Sequence, residues 1–182
     1  NIGEATEFLS KTIRMQKLMQ LFPWRVDIAP KLYAKMLTVA EQCGDKRSLC
    51  WVKLAQGVLN INMSDALRVS ENHAAMREGL QLVNELGDSN IIIQTSGMVC
   101  LYHFIEGEFT KAINCANSNL YQEDIVDIDF ERLLFSYAGL SAISLGEYEV
   151  AVSMLNRAIS RAQARKTPMN VDGLRAILAY AY

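Results

Sequence analysis

Apolar residues along this chain recur at intervals of three and four, as in Leu32/Tyr33, Met36/Leu37, Ala40 and Cys43. The same rhythm returns in Tyr148, Ala151/Val152, Leu155, Ala158/Ile159 and Ala162. That spacing places one apolar stripe on a helix, and no long stretch alternates with the period of two that a half-buried strand requires. The pattern predicts helices over 4–22, 30–43, 46–62, 65–86, 89–106, 108–120, 128–145, 147–165 and 170–182. Pro23, Pro30 and Pro168 all fall where one of these helices starts or stops. Short turns between helices make neighbours antiparallel, so the expected fold is all-α.

Two kinds of helix alternate. Those over 46–62, 89–106 and 128–145 are apolar around much of their circumference, as Ile91, Ile92, Ile93, Met98, Val99, Leu101, Tyr102, Phe104 and Ile105 show. Such helices must be covered on more than one side. Those over 65–86 and 147–165 carry a narrower stripe and a charged opposite face, which suits an outer layer.

The turns repeat. Gly44-Asp45 returns as Gly87-Asp88 after 43 residues, and Gly107-Glu108-Phe109 returns as Gly146-Glu147-Tyr148 after 39. A glycine at a helix end accepts the left-handed conformation, and an aspartate after it caps the next helix. A fixed period of this size means stacked helix pairs, none of which buries its apolar face alone. Around the last turn, Gly139, Gly146, Tyr148, Ala151, Ala158 and Ile159 follow a small–large order. Small residues let paired helices approach, and Tyr148 is expected to fill the space between repeats.

This spacing resembles the tetratricopeptide (TPR) helix-turn-helix. The likeness covers 128–162 residue by residue. Over 89–120 it is partial, through Gly107, Glu108, Phe109, Ala112, Ile113 and Leu120, with Cys100 where the first small glycine stands. Before that it extends to helix rhythm alone. The repeats exceed the usual length and lack the proline after the second helix, with Gln163 near that place. In this they are similar to TPR-like regions of bacterial signalling proteins, such as maltose-activator-type transcription regulators and multidomain nucleotide cyclases. The resemblance implies a right-handed α-solenoid, one TPR-like domain over 1–182. It also implies a non-catalytic module of a larger signalling or regulatory protein that holds a peptide or partner domain in a concave groove. The alternative it implies is a small-molecule sensor controlling an attached transcription-regulator or cyclase effector. The groove would be lined by Gln94, Leu101, Phe104, Ser136, Leu140 and Ile143. The start at Asn1 and the end at Tyr182, inside a predicted helix, point to a piece of a longer protein.

Charge is segregated beneath a net of −2. Residues 1–77 hold eleven basic and seven acidic side chains, 78–149 hold two and twelve, and 150–182 hold five and one, for net charges of +4, −10 and +4. An acidic middle argues against direct nucleic-acid binding, which needs a basic face to displace counterions from phosphates. Opposite charges on separate surfaces favour weak self-association instead. Arg157, Arg161 and Arg165, spaced by four, form the expected basic stripe, and Asp124, Asp127 and Asp129 the acidic side.

Candidate chemistry is sparse. No apolar run is long enough to span a membrane, and no signal-peptide pattern opens the chain. Cys43, Cys50, Cys100 and Cys115 lack the close pairing of a zinc or redox motif and read as buried thiols in a reducing, cytoplasmic setting. His103 lies three residues after Cys100, but a nucleophile pair needs an orienting carboxylate, and only Glu106 lies within a turn. His73 sits in an apolar stripe with no second metal ligand at helical spacing. Asp124, Asp127, Asp129 and Glu131 lack the glycine and terminal glutamate of a calcium loop, and read as solvated acids before a helix. No metal, no cofactor and no enzyme activity are expected.

Overall fold

The structure is a computed structural model, and it describes residues 29–61, 69–119, 128–164 and 168–182. Every regular element among the described residues is an α-helix: α1 (Ala29–Cys43), α2 (Lys46–Ile61), α3 (Val69–Leu86), α4 (Ser89–Ile105), α5 (Phe109–Asn119), α6 (Ile128–Ser144), α7 (Tyr148–Ala164) and α8 (Pro168–Ala179). The all-α expectation is met, and each of these helices lies within a few residues of its predicted span. The helix expected over 4–22 lies outside the described residues. No described helix is long and apolar enough to cross a membrane.

The helices group into two units, residues 1–91 and 92–182. In the first, α2 packs on α1 and α3. Trp51, Leu54 and Met76 are fully buried there, and Gly79 lies so close to α2 that a Cβ would stand 2.8 Å from the Leu54 side chain and 3.0 Å from its backbone nitrogen. The Cys50 thiol points to the Gly79 carbonyl at 3.6 Å, and Lys53 meets Glu78 at 2.5 Å. These contacts fix α2 against α3.

The turns bind their ends closely. Asp45 caps α2: its carboxylate accepts from the Ser48 amide at 3.0 Å, the Ser48 hydroxyl at 2.5 Å and the Arg47 amide at 3.2 Å. Asp88 accepts the Asn90 amide at the start of α4 and pairs with the Arg47 guanidinium, while Lys46 reaches Glu85 at 3.1 Å. The two Gly-Asp turns are therefore tied to each other by ion pairs.

In the second unit α6 is central, packing against α5, α7 and α8. One cluster joins Cys100, Ala112, Ala116, Leu134, Ala138, Ala142, Ala151 and Met154, and another joins Phe135, Leu155, Ala158, Ile159, Val171 and Leu174. Alanines from neighbouring helices share these clusters, and their small side chains permit close packing. Gly139 extends that logic, since a Cβ on it would lie 2.8 Å from Leu155. The buried residues of α7, which are Ala151, Met154, Leu155, Ala158, Ile159 and Ala162, reproduce the stripe read from the sequence.

Candidate functional site

The neighbourhood singled out for recognition is built from α4 and α6, with α5 beside them. Helices α4 and α6 are direct neighbours: the Cys100 thiol lies 3.3 Å from the Leu134 carbonyl, and the Phe104 and Tyr137 rings meet at 5.4 Å. Phe104 also contacts Phe109 of α5, with ring centroids 5.8 Å apart in a tilted arrangement. Among the six residues expected to line a groove, Leu101 and Ser136 are buried, whereas Gln94, Phe104, Leu140 and Ile143 are partly exposed. Burial holds Leu101 and Ser136 among neighbouring helices; the four others leave a half-open strip along α4 and α6.

Two turns of the unit share one backbone. At the end of α4, Gly107 has φ 72°, its amide donates to the Phe104 carbonyl at 3.1 Å, and the Glu108 amide donates to the His103 carbonyl at 2.8 Å. At the end of α6, Gly146 has φ 75°, its amide reaches Ile143 at 2.9 Å, and the Glu147 amide reaches Ala142 at 2.8 Å. Both are Schellman caps, in which a left-handed glycine lets two amides turn back on the last carbonyls.

Their side chains differ. Glu108 binds His103 Nδ1 at 2.7 Å and Lys111 Nζ at 2.6 Å. Lys111 first and His103 next hold the Glu108 carboxyl below the usual carboxylate range. A carboxylate that orients His103 thus comes from Glu108, in the turn before α5, five residues on. Sequence spacing within one helix could not show it, because the turn folds Glu108 back. Phe109 meets Phe104, as a residue filling a gap between helices should. Tyr148 does not follow the expectation set for it: it is 52% exposed.

Burial disfavours the thiolate at three of the four cysteines. Cys100 points to the carbonyls of Ala112 at 3.5 Å and Leu134 at 3.3 Å, and burial pushes its thiol well above the ordinary value. Burial pushes Cys50 up to about 12 and Cys115 up to about 11. Cys43 departs from the buried-thiol expectation, since it is exposed at the end of α1. His73 is half-buried on α3. No group of three metal-ligating side chains occurs among the described residues.

The charged stripes are divided. Arg157 is exposed, while Arg161 Nε reaches Glu131 Oε1 at 2.6 Å, joining α7 to α6. Glu131 is buried, in contrast to the solvated acid expected there. Asp129 is the second residue of α6; Asp124, Asp127 and Arg165 lie outside the described residues. Comparison with protein-family models, curated proteins and solved structures finds no match for this chain.

Proposed function

We propose that the chain acts by binding rather than by catalysis, as a TPR-like interaction module of a larger regulatory protein that holds a peptide or partner domain along α4 and α6. The observation that carries this reading is the strip of Gln94, Phe104, Tyr137, Leu140 and Ile143. These partly exposed, mostly apolar side chains stand on two helices in ring-to-ring contact, with Tyr137 and Ile143 turning part of their surface onto the core beneath. Apolar anchors with few polar groups suit a peptide laid as a helix or extended segment. The cores beneath hold the strip rigid, so little ordering free energy opposes binding.

Selection of a random peptide library against the folded chain tests it. Enriched peptides should shift backbone amide resonances of α4 and α6, and Leu140→Asp should weaken them roughly tenfold, the loss expected for an interface anchor. No enrichment, or peptides indifferent to Leu140→Asp in a protein of unchanged helicity, would refute the reading.

A further inference from the structure

The turn at Gly107 shows how this chain satisfies a glutamate at such a place. Glu108, the residue before α5, has an imidazole and an ammonium on its carboxylate, from His103 and Lys111. Thirty-nine residues on, the backbone repeats around Gly146 while the side chains change. Ala142 stands where His103 was, Val150 where Lys111 was, and Leu145 where Glu106 was. Glu147 keeps the place of Glu108, with Glu149 close behind it. Neither carboxylate has an ion-pair partner among the described residues.

The surface changes accordingly. Leu145, Tyr148 and Val150 are 44%, 52% and 37% exposed, three apolar side chains within six positions of one turn. Single exposed apolar residues are ordinary, but Leu145 and Tyr148 flank one turn with Glu147 between them, while Val150, two positions on, faces another side of α7. The loss of the ammonium and the imidazole from around a retained glutamate indicates what the missing contact supplies.

We propose that the α6–α7 turn, Leu145 to Val150, docks a basic, apolar peptide segment of another protein. Leu145 and Tyr148 receive an apolar side chain, and Glu147 and Glu149 receive Lys or Arg, as Lys111 and His103 serve Glu108 in the earlier turn. The inference rests on reading the chain as an interaction module, and it concerns the turn that follows Ile143 rather than the α4 and α6 strip itself.

The test uses three fluorescein-labelled peptides of equal length: one with Phe and Leu flanked by Arg and Lys, one with Glu replacing the basic residues, and one with Ser replacing the apolar residues. The basic apolar peptide should bind and shift the amides from Leu145 to Val150. Glu147→Gln with Glu149→Gln should weaken it roughly fivefold, and added salt should do likewise. Tyr148→Ser should weaken it roughly tenfold. Equal binding of the acidic peptide, or no binding at millimolar concentration, overturns the proposal. Shifts confined to α4 and α6 overturn it too, while supporting the strip. Conversion of a dimer to a monomer by Tyr148→Ser would identify a second copy of the chain as the occupant, and the peptide proposal would fall.

Discussion

Arg157 and Arg161 stand four residues apart on one helix and look alike in the sequence, yet the structure gives them different work. Arg161 has a side chain 20% exposed and meets a Glu131 carboxylate 9% exposed, so removing it leaves a buried charge short of its cation. Arg161→Ala should therefore lower stability by about 3 kcal/mol, against less than about 0.5 kcal/mol for the exposed Arg157→Ala. Denaturant midpoints of the two variants decide it, and equal midpoints would show that the Glu131 pair adds nothing. The thiols divide in a similar way. At pH 8 one of the four should react quickly with a disulfide reagent, Cys43, because the thiolate is the nucleophile and burial disfavours it at Cys50, Cys100 and Cys115. Cys43→Ser should abolish the fast phase; a fast phase that survives would show that α2, α4 or α5 opens readily.

At the scale of the element, helix ends contribute more specific structure than helix middles. Asp45 caps α2 with three hydrogen bonds, and its carboxyl sits below the usual carboxylate range. Burial raises it, but the Ser48 hydroxyl, the Ser48 and Arg47 amides and the Arg47 charge together outweigh burial. A carboxyl whose folded value is depressed gives stability that is fully present above its unfolded value and is lost as pH falls through the folded value. Asp45→Ala should cost about 1 kcal/mol at neutral pH. Asp45→Asn should flatten the fall of the denaturation midpoint as pH drops below the ordinary aspartate value. An unchanged slope would mean that the cap is made equally well by the neutral side chain. Where a helix ends at Gly44, Gly87, Gly107 or Gly146, its boundary was legible because a glycine followed by an acidic residue marks it. The close approaches at Gly79 and Gly139 were legible only in part. Gly139 announced itself by its place in the repeat, whereas Gly79 sits in a helix with nothing in its neighbours to foretell Leu54.

For the whole molecule, the segregation of charge in the sequence carries the prediction. With −10 over residues 78–149 and +4 on either side, molecules should associate weakly at low ionic strength and separate as salt screens them, with a Debye length of about 10 Å near 0.1 M. Arg157→Glu is the informative reversal, because Arg161→Glu would set a second carboxylate against buried Glu131. Sedimentation should show Arg157→Glu more monomeric at low salt, with helicity intact. A dimer of equal strength at low and high salt would instead point to an apolar interface, for which the exposed turn at Leu145, Tyr148 and Val150 is the first place to look.

The sequence by itself determined the all-helical class, the placing of the described helices, the stripe that α7 buries and the glycines of four turns. These features depend on interactions within a few residues: the period of the helix, and the left-handed backbone that glycine accepts at its end. Tertiary structure alone decided that Glu131 is buried with Arg161, that Glu108 turns back to His103, and that Phe109 is half-buried against Phe104 while Tyr148 is exposed. A helical period states which face turns inward. It does not state which side chain of a neighbouring helix stands opposite, because that depends on the register between two helices, set by the close contacts of alanine and glycine at their crossing.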